Sequence, residues 1–256
     1  MEVPGRILRR MGYKSDNNGI INRYIRENGA WDEHLQRTRG FIVKAVTGRS
    51  VRNLAVYGSG WCLDLPLDEL AAIANQVYLY DLVHPPQVLY RIKKYVNISA
   101  IKVDVTGGAI MRAYQAVQTY KEDHRKVSPE EICSSHFHPP VIPDYAISVN
   151  ILSQLGEYIT DYLKLHVPYE REEIDRVTEL LQQSHLELLI PGNSCLITDV
   201  REYSFDMDDG NPEMTEIIKC NLPAATRRET WDWHFDQQGS YRPGRKILLQ
   251  VMAVEL

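Results

Sequence analysis

Cysteine is scarce: 4 in 256 residues. Cys62, Cys133, Cys195 and Cys220 form no C-x-x-C pair, which excludes a disulfide scaffold, a zinc ribbon and a thioredoxin motif and fits a reducing compartment. No apolar run approaches the roughly 18 residues of a membrane span, and Met1 to Lys14 lacks the apolar core of a signal peptide, so a cytoplasmic location is expected. Basic charge is in short supply too. Against 34 Asp and Glu there are 29 Lys and Arg, leaving a net charge of −5 without the basic footprint of a nucleic-acid binder. A small-molecule partner is expected instead, and nothing in the sequence signals an oligomeric state. Internal repeats and low-complexity tracts are absent. What is present, 44% hydrophobic and 25% charged residues, is the composition of a globular chain long enough to bury a sizeable core.

The first fifty residues carry helical spacing, amphipathic over Asn22 to Glu27. A second run over Asp32 to Val46 brings Leu35, Phe41, Ile42 and Val46 to one face after a start at Trp31-Asp32. Residues 1–49 are therefore expected to form a helical cap on a domain spanning 50–256. Strand-length apolar runs follow at Asn53–Tyr57, Gln76–Tyr80, Ile98–Val103, Tyr145–Val149 and Ser194–Thr198. Helical patterns lie between them at Asp68–Ala74, Gln87–Tyr95, Ala109–Lys121 and Ile151–Leu189. This alternation predicts an α/β fold with a doubly wound, mostly parallel sheet. Arg201 to Arg227 is polar and turn-rich, including Asp208-Asp209-Gly210-Asn211-Pro212. Thr230–Phe235 and Lys246–Val254, joined by Gly239-Ser240 and Pro243-Gly244, then read as a C-terminal antiparallel hairpin, making a seven-stranded sheet. The long connection Glu122 to Asp144 is of the kind that covers a site.

Ligands of doubly wound sheets bind at the carboxyl ends of the strands where strand order reverses. The first strand ends in Gly58-Ser59-Gly60, whose glycines allow a sharp turn and close approach to a ligand, and a helix starting near Asp64 is expected to aim its N-terminus there. The second strand ends in Asp81, 21 residues beyond Gly60, the separation at which a carboxylate meets ribose hydroxyls. Asp104 ends the third strand, at the same edge, where an adenine amino group can be recognised.

The element order, the Gly58-Ser59-Gly60 turn, the strand-end Asp81 and Asp104 and the terminal hairpin together resemble the class I S-adenosylmethionine-dependent methyltransferases over roughly residues 50–256. The resemblance implies S-adenosyl-L-methionine as methyl donor, with Gly58, Ser59, Gly60, Asp64, Asp81 and Asp104 as its contacts and Asn150, after the fourth strand, facing the transferred methyl group. Two positions depart from the family pattern. Val56 replaces an acidic residue two before the first glycine and Cys62 a third glycine, which shifts the methionine end towards Asp64. The family's amino-group methylases carry Asn or Asp followed by Pro-Pro and an aromatic residue after the fourth strand; here Pro139-Pro140 precedes it, which disfavours methylation of nucleic-acid bases.

Methyl transfer needs alignment and at times a base. His136, His138 and Asn150 are the catalytic candidates. Asp199, Trp231, Trp233 and His234 are the candidates for acceptor contact, with the two tryptophans expected on one face of their strand. Cys133, His136 and His138 form a C-x-x-H-x-H cluster without a fourth ligand, so no metal is expected. Two other readings remain. In an NAD-dependent oxidoreductase, Leu63 would stand where the dinucleotide fingerprint requires glycine; a catalytically inactive nucleoside-binding scaffold would account for Val56 and Cys62.

Overall fold

The computed structural model describes residues 3–207, 210 and 212–256, apart from the side chains of 14 and 16. Three N-terminal helices come first, α1 (Gly5–Arg10), α2 (Tyr13–Arg26) and α3 (Asp32–Val46). Helix α3 starts with Asp32 and Glu33 in its first turn, where the helix dipole favours acids, and buries Leu35, Phe41, Ile42, Ala45 and Val46 along one stripe. Alternation then runs through β1 (Val51–Tyr57), α4 (Leu67–Ile73), β2 (Ala74–Asp81), α5 (Pro86–Ile92), β3 (Ile98–Lys102), α6 (Ala109–Asp123), α7 (Pro129–Ile132) and β4 (Tyr145–Val149). It continues with α8 (Glu157–His166), α9 (Arg171–Leu186), β5 (Ser194–Asp206), β6 (Glu213–Glu216), β7 (Arg227–Asp236) and β8 (Arg245–Glu255).

The sheet has eight strands in the order β3-β2-β1-β4-β5-β8-β7, with β6 paired to β5 outside that path. Pairings from β3 to β5 are parallel, and β8 runs antiparallel to both β5 and β7. The chain builds outward from β1 to β3 and returns beside β1 with β4, so strand order reverses between β1 and β4. Side-chain alternation divides the core into two layers. Leu54 and Val56 of β1 join α3, α4 and α5 on one face. Ala55 and Tyr57 join α1, α6, α8 and α9 on the other. Helix α2 touches both layers, through Tyr13 on one and Ile20 and Tyr24 on the other.

Three sequence expectations are corrected. The polar stretch 201–227 is not all turn: β5 runs on to Asp206 and pairs with β6. Charged side chains on a half-exposed antiparallel extension hide its strand character, since only one face must be apolar. Asp208, Asp209 and Asn211 of the turn motif lie outside the described residues. The helical run 151–189 is two helices, because Pro168 forces Val167 into extended backbone at φ −136°. The helix expected near Asp64 begins at Leu67, leaving Asp64 in the preceding loop.

Candidate active site

Tyr57 ends β1 and Gly58 turns away from it at φ +84°; a Cβ there would meet the Val149 carbonyl oxygen at 2.5 Å and Ile151 Cβ at 2.7 Å. Only glycine fits this close to the segment that follows β4. Gly60, also at positive φ, points its N–H at Asp81 and donates to Oδ2 at 2.7 Å. The Val83 amide donates to the other carboxylate oxygen at 3.2 Å. Burial pushes the Asp81 carboxyl above its ordinary value, and these amides together with His84 oppose the shift. The His84 imidazole is in turn hydrogen-bonded through Nε2 to Ser59 Oγ at 3.0 Å.

Just past β3, Asp104 accepts the Thr106 amide at 2.9 Å and the Thr106 hydroxyl at 2.5 Å, both on Oδ1. Its Oδ2 is buried with no hydrogen-bond partner among the described residues. Asn150 follows β4 in the left-handed region at φ +52°, which Asn tolerates better than most residues. Its Nδ2 donates to Asp64 Oδ2 at 2.8 Å, while its Oδ1 is buried with no partner among the described residues. Asp64 is half-buried, and desolvation pushes its carboxyl to about 6.

These groups open onto one cleft enclosing about 1170 Å³ of empty space including its mouth. Its floor holds Gly58, Ser59, Gly60, Asp64, Asp81, Asp104 and Asn150; Tyr13 comes from α2, Trp31 from just before α3, His34 from α3 and Trp233 from β7. Trp61 Nε1 donates to the Asn17 carbonyl at 2.6 Å, fastening the glycine loop to α2.

The expected donor contacts and Asn150 thus share the cleft. Other candidates lie elsewhere. His136 is exposed beside Glu187, its Nδ1 2.7 Å from Oε2, and His138 is exposed as well; neither lines the cleft, because Phe137 between them packs on Tyr57 and Tyr80. Asp199 is buried in β5, where Ser153 donates to it at 3.1 Å. His234 is exposed, on the face of β7 opposite Trp231, Trp233 and Phe235. Trp231 and Trp233 do share a face, but only Trp233 reaches the cleft; Trp231 Nε1 donates to His34 Nδ1 at 3.2 Å. Cys133 Sγ sits 3.8 Å from the Val177 carbonyl oxygen as a weak donor.

Sequence reasoning missed Tyr13, His34 and Thr106. His34 lies on a helical stripe that reads as core, and Thr106 shows its role only once a turn folds it back onto Asp104.

No family model matches the chain, and no curated protein matches it. Solved structures similar to it include the N-methyltransferase NodS from Bradyrhizobium japonicum WM9, 14% identical with a TM-score of 0.43, covering 90% of this chain and 98% of that one. Another is the 1,6-didemethyltoxoflavin-N1-methyltransferase of Burkholderia thailandensis, with bound 1,6-didemethyltoxoflavin and S-adenosylhomocysteine, at 13% identity and a TM-score of 0.42 over 95% and 89% of the two chains. The 23S rRNA methyltransferase ErmE is 11% identical with a TM-score of 0.35 over 86% of this chain and 68% of its own. Such distant likenesses concern the arrangement of elements only.

Proposed function

We propose that this chain is an S-adenosylmethionine-dependent methyltransferase acting on a small-molecule acceptor, its N-terminal helices serving as a cap over the cleft. The observation that carries the reading is that three carboxylates, the half-buried Asp64 and Asp81 and the buried Asp104, line one cleft with the positive-φ Gly58 and Gly60, beside the point where strand order reverses.

The residues suit such a donor. Asp81 is fixed by two backbone amides and keeps lone pairs for ribose hydroxyls. Asp104 Oδ2, otherwise unmet, would accept an adenine amino hydrogen. Asp64, held by Asn150, would receive the ammonium of the methionine end, and Asn150 Oδ1 would orient an N–H or O–H of the acceptor. When bound, the donor supplies a methyl group on a sulfonium centre. The protein's part is to align that carbon with the acceptor and to exclude water, which positioning alone makes effective.

Thermal unfolding with S-adenosylhomocysteine, NAD and NADP tests this. S-adenosylhomocysteine at one hundred times its Kd should add about 2.7 kcal/mol of stability, with no shift from either dinucleotide. Asp81→Ala should weaken binding by about 10- to 100-fold, the loss of a charge-assisted contact of about 1.5–3 kcal/mol. An unshifted protein at saturating S-adenosylhomocysteine ends the reading; a dinucleotide shift supports the oxidoreductase, and donor binding without any methylated product in a metabolite search supports the scaffold.

A further inference from the structure

The capped part of the cleft is lined by side chains whose polar atoms have a common character. Of the four tryptophans, Trp31 donates to the Phe235 carbonyl at 3.0 Å, Trp61 to the Asn17 carbonyl and Trp231 to His34. Trp233 Nε1 is buried with no partner among the described residues. His34 stacks on that same indole, with centroids 3.8 Å apart and planes at 7°. Because Trp231 donates to His34 Nδ1, the neutral imidazole must carry its proton on Nε2. Burial holds the ring neutral, with its pKa pushed down to about 3. That Nε2–H is likewise buried and unpartnered.

The two residues whose stacked rings carry these unmet N–H donors both belong to the wall of the cleft, and buried donors left unmet are costly enough that native structures rarely tolerate them. The apolar neighbours Trp31, Ile20 and Leu35 complete the wall. Among the described lining residues there is no Lys or Arg, while three are aspartates.

Resting on the methyltransferase reading, we propose that the acceptor is a flat, uncharged heteroaromatic molecule bearing a carbonyl oxygen or ring nitrogen, which takes hydrogen bonds from His34 Nε2 and Trp233 Nε1. Anionic substrates, including phosphorylated ones, find no Lys or Arg to pair with among the described lining residues. Purely hydrocarbon rings leave both donors unmet.

The test uses the full chain saturated with S-adenosylhomocysteine and three probes of one shape, measured by calorimetry: 4-quinolone, naphthalene and quinoline-4-carboxylate. We expect 4-quinolone to bind at least tenfold more tightly than the other two. His34→Phe and Trp233→Phe, which keep a flat ring and remove the N–H, should each weaken 4-quinolone about tenfold while leaving naphthalene and S-adenosylhomocysteine affinities within twofold. Equal binding of the probes, tighter binding of the carboxylate, no binding by any of them, or indifference to both substitutions overturns the proposal. Should either variant lose S-adenosylhomocysteine binding through misfolding, the other decides, and the wild-type ranking stands by itself. Failure of the wild-type chain to bind S-adenosylhomocysteine instead overturns the donor reading, and the same panel on the free protein still ranks the probes.

Discussion

At the scale of single residues, the cleft depends on backbone that only certain side chains allow. Gly58→Ala forces a left-handed Cβ against the Val149 carbonyl. The conformation costs about 1–2 kcal/mol and the overpacking about 1–3 kcal/mol more; urea unfolding should show the summed loss, and an unchanged midpoint would refute the account. Asp199 provides a pH test away from the cleft. Burial pushes its carboxyl to about 7, helped by the nearby Glu157 and Glu202 carboxylates, while the Ser153 hydroxyl opposes the shift. Its ordinary value is about 3.9. The folded state thus holds the proton more tightly, so this contribution to stability is full below about pH 4 and is lost as pH rises to about 7. Asp199→Asn should flatten that decline, making the variant relatively more stable at pH 8 than at pH 5 in parallel denaturation series. These residues differ in legibility. Gly58, Gly60, Asp81 and Asp104 announce themselves by position relative to strand ends, whereas His34 and Thr106 matter only through a partner far along the chain or folded back in a turn.

At the scale of elements, α3 packs directly on the sheet. Phe41 is buried in the same core as β1 and β8, under the Arg227 guanidinium at 4.3 Å, and does not line the cleft. Phe41→Ala should cost about 3–5 kcal/mol in denaturant unfolding with S-adenosylhomocysteine affinity unchanged in the folded protein. A selective loss of ligand binding would mean that α3 serves the site rather than the core. The β7–β8 connection is tied to α2 in a similar way, by Glu27 accepting the Gln237 amide at 3.0 Å and Gln238 donating to the Arg26 carbonyl at 2.7 Å. Elements with one strong period, such as α3, β4 and the alternating Trp231-Asp232-Trp233, were readable directly. The extension of β5 was not, because its pairing partners β6 and β8 supply the reason for extended backbone and neither is visible locally.

At the scale of the whole molecule, the net charge and the lining of the cleft give a test of the proposed partner class. A net charge of −5 and a cleft whose described lining lacks Lys and Arg should leave a single-stranded RNA oligonucleotide unbound at physiological salt, as read by fluorescence anisotropy. Among the described residues no helix is long and apolar enough to cross a membrane. The sequence by itself determined the alternation of strands and helices, the terminal hairpin and the acids at strand ends, since hydrophobic period and turn chemistry are local properties. Tertiary structure alone decided which candidates meet. It brought His34 and Trp233 together across 199 positions and left His136, His138 and Asp199 outside the cleft, because contact between distant segments follows from how layers pack rather than from any pattern within one segment.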